Sequence, residues 1–356
     1  MNSKTNKLSN SLDSIADAAL IISEANRFYY TGFPATDGFL LVTKSRALFF
    51  TDSRYTEAAE KCIGSEFVRN SATVFEQIKE IFSAENIKTV AVENDRITLA
   101  QFENLKNELP CAEFISTSAL TDIIEAQRSV KDESEVQLIL KAQSIAEAAF
   151  DHILGFIKPG LTEKDVQLEL DYFMLKNGAE GLSFETIAVS GVNSSMPHGV
   201  PSNKKIETGD FITLDYGALY KGYHSDMTRT VAVGKASEKQ KSIYSTVLEA
   251  QIAALEAFKD GVTCFDADKA ARDIITKAGY GECFGHGTGH GVGVEIHEFP
   301  SVSKRSKATL KAGNIVTSEP GIYIPGEFGV RIEDMALITE NGCRNLTNCP
   351  KELIII

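Results

Sequence analysis

The sequence predicts an α/β protein of two domains, the second built from a duplicated unit. Three observations carry this. The chain has 356 residues, more than one ordinary core serves. Its first third alternates short β-forming runs with stretches of helical spacing. The remainder repeats a set of motifs in one order.

In the first domain, ALIIS (19–23), GFLLVT (38–43), ALFFT (47–51) and KTVAVE (88–93) are apolar runs rich in β-formers. YTEAAEKC (55–62), VFEQIKEIF (74–82) and LAQFENLKNEL (99–109) have helical spacing. This domain is expected to cover 1–122, with a linker over 123–131, where IIEAQRSVKDESEVQ turns strongly charged. The second domain then spans 132–356 and opens on a long helix.

The repeat organises the second domain. GLTEKD (160–165) recurs as GVTCFD (261–266), each with a threonine able to cap a helix and an aspartate three residues on. The helices so begun end on KNG (176–178) and KAG (277–279). HGVPS (198–202) is echoed by HEFPS (297–301), and GDFITLD (209–215) by GNIVTSE (313–319). Two such units pair about a pseudo-two-fold axis; they are too few for a solenoid.

Composition removes several function classes. A net charge of -13, from 49 acidic and 36 basic residues, argues against nucleic acid or an anionic membrane surface as partner. The basic runs KKI (204–206) and SKRSK (303–307) read as solvated loops. MNSKTNKLSNSLDS lacks the apolar core of a signal peptide, and no window reaches membrane-span length. Six cysteines without CxxC or framework spacing read as free thiols in a reducing cytoplasm.

The echoed strands align carboxylates, Asp215 in one half and Glu319 in the other. ITLDYGALYKGYHSDMTRT reads as a hairpin turning at Tyr220-Lys221, which sets Asp215 opposite Asp226. TSEPGIYIPGEFGVRIEDM reads as a second, turning at Pro325-Gly326-Glu327 and opposing Glu319 to Glu333. Opposed carboxylates repel on a sheet face unless a cation lies between them. A pair of divalent ions would neutralise this cluster.

GHGTGHGVGVEIHEFP (285–300) holds three of the six histidines on a backbone with five glycines. His286 and His290, four apart, share one face of a strand, and the glycines let backbone and imidazole approach a metal or substrate. His290 is the expected metal ligand; an imidazole among carboxylates moves preference towards Mn, Co, Fe or Zn. His198 and His297 occupy matching positions of the repeat, facing each other beside the metals to hydrogen-bond a substrate carbonyl and its oxyanion. His152 and His224 read as structural.

The set MPHG (196–199), LDYG (214–217), SDMTRT (225–230), GHGTGH with HEFP, SEPGIY (318–323) and VRIED (330–334) resembles the pita-bread metallopeptidases, and among them the proline-specific aminopeptidase P and prolidase. The first domain, with FYYTGF and TDSRY, resembles the creatinase-type N-terminal domain of those proteins. The resemblance implies a creatinase-like α/β domain followed by a duplicated pita-bread catalytic domain. It implies two divalent metal ions, manganese foremost with Co, Fe or Zn as alternatives, held by Asp215, Asp226, His290, Glu319 and Glu333. Asp226 and Glu333 would serve both ions, and Glu319 would double as proton shuttle. His198, His286 and His297 would surround the substrate, and Arg331 would support a ligand. A bridging hydroxide would attack the carbonyl before proline at a peptide N-terminus. The implied enzyme is a cytoplasmic homodimer acting on proline-containing peptides, with no nucleic-acid or membrane partner. It is first an Xaa-Pro aminopeptidase, alternatively a dipeptidase. Some relatives use a tryptophan near the substrate; this chain has none.

Methionine aminopeptidases share the five ligand types but normally lack the extra domain. Creatinase shares the fold without the metal set, and a non-enzymatic relative would be free to lose ligands; here all five ligand types are present.

Overall fold

The structure, a computed structural model, describes residues 2–356. The chain forms two compact units, 1–128 and 129–356. The stretch 123–131, expected as a linker, is helical as far as Ser129 within the helix Ala119–Ser129, and the units divide inside it.

The first unit is a six-stranded sheet. Its strands are β1 (Ala18–Ile21), β2 (Phe39–Thr43), β3 (Ala47–Thr51), β4 (Val68–Asn70), β5 (Thr89–Val92) and β6 (Glu113–Ile115). They lie in the order β4-β3-β2-β1-β5-β6. β1–β5, β5–β6 and β3–β4 are parallel, while β1–β2–β3 is an antiparallel meander. β1 and β3 are buried at every position, which is why they read as continuous apolar runs. The helices Val74–Glu85 and Leu99–Glu108 bury Ile78, Phe82 and Leu105 against Leu20, Leu41, Phe50 and Val90. The helix Glu24–Thr31 and the three-residue strands β4 and β6 were not legible in the sequence, being polar or too short to establish a period.

The second unit carries the duplication. Long helices Glu133–Phe156 and Glu238–Ala257 precede helices Glu163–Lys176 and Cys264–Lys277, which share a length of 14 residues. Thr162 and Thr263 cap the latter pair by accepting the N–H of Asp165 and Asp266. Gly160 N–H donates to Ile206 O, and Gly261 N–H to Leu310 O, both at 2.9 Å.

The strands follow the same plan. β7 (Gly181–Leu182), β8 (Ile187–Ser190), β9 (Phe211–Tyr216), β10 (Ala218–Tyr220), β11 (Tyr223–His224) and β12 (Met227–Ala232) belong to the first half. β13 (Gly289–Gly291), β14 (Glu298–Val302), β15 (Ile315–Ser318), β16 (Gly321–Ile324), β17 (Phe328–Arg331), β18 (Asp334–Thr339) and β19 (Gly342–Asn345) belong to the second. The antiparallel order β12-β9-β8 is matched by β18-β15-β13 within a five-stranded sheet. Each half has its own core. Ile145, Phe150, Ile153, Val166 and Leu170 pack on Ile212, Leu214 and Tyr216, and Ile243, Val247, Ala271 and Ile275 on Val316, Ala336 and Ile338. Alternation along β9 and β15 then turns Asp215 and Thr317 away from those cores.

The first hairpin departs from its expected register. It turns at Lys221-Gly222, both with positive φ (46° and 75°), and pairs Tyr220 with Tyr223. A two-residue turn of this hand needs φ above zero at both central positions, so the glycine marks its second residue. Asp215 therefore pairs with Thr228, not Asp226. The shift is two residues, so Asp226 keeps its face and becomes a diagonal neighbour. The second hairpin has the expected register, with Ile324 opposite Phe328 and Gly321 opposite Arg331. Among the described residues no helix is long and apolar enough to cross a membrane, and the six cysteines form no disulfide.

Candidate metal centre

A cavity of about 520 Å³ opens in the second unit, lined by His198, Asp215, Asp226, His286, His290, His297, Glu319, Arg331 and Glu333. All nine site residues expected from the sequence thus meet in one place. Phe184, Ile187, Val200 and Ile296 add apolar wall, and Gln167 and Glu185 add polar groups.

The carboxylates come from equivalent places in the two halves: Asp215 near the end of β9, Asp226 just before β12, Glu319 just after β15 and Glu333 just before β18. Asp226 and Glu333 are 4% and 1% exposed. Oxygen atoms of these two and a nitrogen of His290 lie within 4.8 Å of one another. His290 Nε2 stands 3.5 Å from Asp226 Oδ2 and 3.4 Å from Glu319 Oε1. Its Nδ1–H donates to Gly291 O at 3.0 Å, so the neutral ring turns the Nε2 lone pair to the carboxylates.

His286 does not share a strand face with His290. β13 has three residues, His286 precedes it, and its Nδ1–H donates to Gly287 O at 2.8 Å. Its Nε2 accepts from Tyr323 Oη at 2.9 Å, and Tyr323 Oη accepts from Arg331 Nη1 at 2.7 Å. Arg331 Nη2 donates in turn to Asp215 Oδ2, and Arg331 Nε to Thr228 Oγ1 at 3.1 Å. Thr228 Oγ1 donates to Glu333 Oε2 at 2.6 Å. Tyr323 and Thr228 carry no role in the sequence reading, yet parity points to both: Thr228 lies two residues after Asp226, and Tyr323 four after Glu319. His297 packs edge-on against His290, with ring centroids 4.3 Å apart. His152 is bound to Glu169 at 2.6 Å and stacked on Phe173. His224 pairs with Ser183 Oγ at 2.9 Å, outside the cavity lining.

The electrostatics call for a cation. Burial, then the neighbouring Glu333, Asp215 and Glu319 charges, hold the Asp226 carboxyl well above the usual range. Burial, Glu319 and Asp215 do the same to Glu333. Glu319 is pushed up to about 8, chiefly by burial and against the pull of Arg331. His290 falls to about 4 through burial and the neighbouring His297, and His286 to about 4 through burial and Arg331. Among the described lining residues Arg331 is the one Lys or Arg, and it is tied to Asp215 and Tyr323. Asp215 Oδ1 is buried and has no hydrogen-bond partner. An orphaned carboxylate oxygen, three crowded carboxyls and one imidazole lone pair form a donor set that suits divalent ions.

Residues 137–340 match metallopeptidase family M24, and residues 9–130 the creatinase/prolidase N-terminal domain. The chain belongs to metallopeptidase family M24. It is a metallopeptidase with the pita-bread catalytic domain and a creatinase-type N-terminal domain. It is 41% identical over 358 residues to an Xaa-Pro dipeptidase of Pyrococcus horikoshii, covering 99% of each. An Xaa-Pro dipeptidase structure from Bacillus anthracis is 46% identical, with a TM-score of 0.94 over 99% of both chains. An X-Pro aminopeptidase structure from Thermotoga maritima is 38% identical, with a TM-score of 0.90 over 98% of this chain and 100% of that one.

Two buried ion pairs flank this carboxylate cluster. Arg229 donates to Asp334 Oδ1 at 2.8 Å and to Glu333 O at 2.6 Å, with both side chains at most 1% exposed. Lys131 and Glu298 pair at 3.0 Å beside His297, likewise out of solvent.

Proposed function

We propose that the chain is a proline-specific exopeptidase that hydrolyses Xaa-Pro dipeptides, using two divalent metal ions. The observation that carries the metal reading is the buried carboxylate cluster with its orphaned Asp215 oxygen. The ligands would be Asp215, Asp226, His290, Glu319 and Glu333, with manganese the expected metal. Bound there, the ions supply Lewis acidity that polarises a carbonyl and lowers the pKa of water.

The chain's own residues do the rest. Arg331 holds Asp215 in orientation and, with Tyr323, fixes His286. His297, whose pKa burial and His198 lower, is neutral near pH 7 and offers an N–H to the substrate carbonyl or the oxyanion. His198 serves the same carbonyl from the other half. Glu319, 3.4 Å from His290 Nε2, is the carboxylate that would return a proton to the departing proline nitrogen. The Xaa-Pro amide carries no N–H, so recognition falls to the shape of the apolar wall around Phe184, Ile187 and Val200.

The dipeptide preference is supported by the Pyrococcus and Bacillus relatives, and it reorders the expectation that put the aminopeptidase first. The second reading, cleavage of longer Xaa-Pro peptides, is supported by the Thermotoga structure. The test strips the metal, reloads with Mn²⁺ and compares an Xaa-Pro dipeptide, an Xaa-Pro-Yaa-Yaa peptide and a Met-Ala-Ser peptide. Cleavage of the dipeptide alone supports the first reading, and cleavage of the longer proline peptide the second. Cleavage of the methionine peptide alone removes both. A cytoplasmic homodimer is the assembly expected for either.

A further inference from the structure

The loop carrying His286 and His290 has little with which to hold itself. Gly285, Gly287 and Gly289 contribute no packing, and glycine loses the most freedom on being ordered. Two of these glycines are also required. A Cβ on Gly287 would meet Val302 O at 2.8 Å, and one on Gly289 would meet Thr317 O at 2.0 Å. So bare a backbone needs restraint from outside.

We propose that Asp268 and Arg272, one turn apart on the helix Cys264–Lys277, clamp this loop, acting as positioning residues on which metal affinity depends. Arg272 donates from Nη1 to Phe284 O at 2.9 Å and from Nη2 to His286 O at 2.6 Å. The same guanidinium forks onto Asp268, Nε to Oδ2 at 2.7 Å and Nη2 to Oδ1 at 2.9 Å. Its face covers the Phe284 ring, 4.1 Å from the centroid. Asp268 side chain, 1% exposed, accepts from Thr288 N–H at 3.0 Å and from Thr288 Oγ1 at 2.9 Å. Thr288 O then accepts the N–H of Glu319 at 2.8 Å. One ion pair therefore grips both sides of Gly287 and reaches the backbone of a carboxylate 51 residues further on, counted from Asp268 to Glu319.

The duplication sharpens the assignment. The matching helix Glu163–Lys176 carries Gln167 and Asp171 at the equivalent turn; Gln167 lines the cavity and Asp171 accepts from Thr186 at 2.5 Å. Thr186 lies in the loop before β8 that corresponds to the one before β13, and Glu163 holds the later segment leading to His198, accepting Ser190 N–H at 2.7 Å and Ser202 N–H at 3.0 Å. In the first half the carboxylate that reaches the corresponding loop stands at the Arg272 position and a glutamine at the Asp268 position, so the clamp is not a remnant of the repeat. Only in the second half does it include a guanidinium that reads two loop carbonyls.

The proposal rests on the metal reading above for one readout and is free of it for the other. In the full chain, R272K keeps the charge opposite Asp268 but loses the fork. It is expected to fold, to speed amide exchange at Thr288 and Glu319 about tenfold or more, and to weaken Mn²⁺ binding by roughly 10–100-fold in titration calorimetry. D268N is expected to move both in the same direction. If R272K fails to fold, T288V, which removes one hydroxyl donor, should still weaken Mn²⁺ by about fivefold. Exchange rates and Mn²⁺ affinity within twofold of the unsubstituted chain, in variants that fold, overturn the clamp, whatever their melting temperatures. Exchange needs no metal, so an unsubstituted chain that bound no Mn²⁺ would defeat the metal reading while exchange still judged the clamp.

Discussion

Glu319 and Glu333 stand opposite each other in the gap between two ladders that keep one register. Ser318 pairs with Asp334 on one side of them and Gly321 with Arg331 on the other. Neither glutamate is inside a strand, so both carboxylates escape the ladder while its geometry aligns them. The Glu319 charge follows burial as the largest influence raising the Glu333 carboxyl. A fold that aligns two buried carboxylates this way is strained until a cation joins them.

That strain predicts a pH dependence in the metal-free protein. Glu319 has a folded value of about 8 against an ordinary 4.5, so its contribution to stability is full below about 4.5 and is lost as pH rises through 8. His286 and His290 act oppositely, at about 4 against 6.5, and contribute fully only above 6.5. Between pH 6.5 and 8.5 the carboxyls therefore dominate. Melting of metal-free protein should show stability falling across that window by on the order of 1–2 kcal/mol. Saturating Mn²⁺ should flatten the curve, and E319Q should reduce the slope. Constant or rising stability of the metal-free protein would contradict this account.

Arg331 serves Asp215, Tyr323 and Thr228 at once. R331M leaves the Asp215 carboxylate without its orienting donor and frees Tyr323 from the guanidinium. Mn²⁺ affinity is expected to drop by roughly 10–100-fold, as for other residues that orient metal ligands. R331K keeps the charge yet cannot span three acceptors, and should recover less than half of the loss on a free-energy scale. Full recovery by lysine would reduce the role of Arg331 to its charge.

Arg229 tests the scaffold separately from the chemistry. Its guanidinium is buried against Asp334 and four carbonyls, those of Thr228, Glu333, Cys349 and Pro350. R229M removes the guanidinium from all of these acceptors and should cost about 3–5 kcal/mol in urea unfolding. Asp334 retains Lys351 at 2.8 Å and Gln251 at 3.0 Å, which favours the lower end of that range. A loss under about 1 kcal/mol would mean the pair is replaceable.

Much of this was legible in the residues, and the exceptions have physical causes. The duplication, its capped helices and the ligand types were visible because capping threonines, terminal glycines and strand-end carboxylates recur in order. The register of the second hairpin was readable because Gly326 sits at its centre. In the first, two residues with positive φ shift the turn past Tyr220, and a lysine at one of them hides the signal. Asp226 stayed on its expected face only because the slip was even. His286 was misread because strand parity was applied to a segment in which three residues are extended. Parity puts Thr228 and Tyr323 on the site face, but their partners, like those of the Asp268–Arg272 pair, come from distant segments, which local periodicity does not encode.

Five side chains from both halves are proposed to hold two divalent ions. Equilibrium dialysis of metal-stripped protein against Mn²⁺, with ions counted per chain, tests this most directly. Two ions per chain are expected, fewer in D215N and in E333Q, with Xaa-Pro turnover abolished in both. Fewer than two ions in the unsubstituted chain, or two ions and full turnover in either variant, would contradict that proposal.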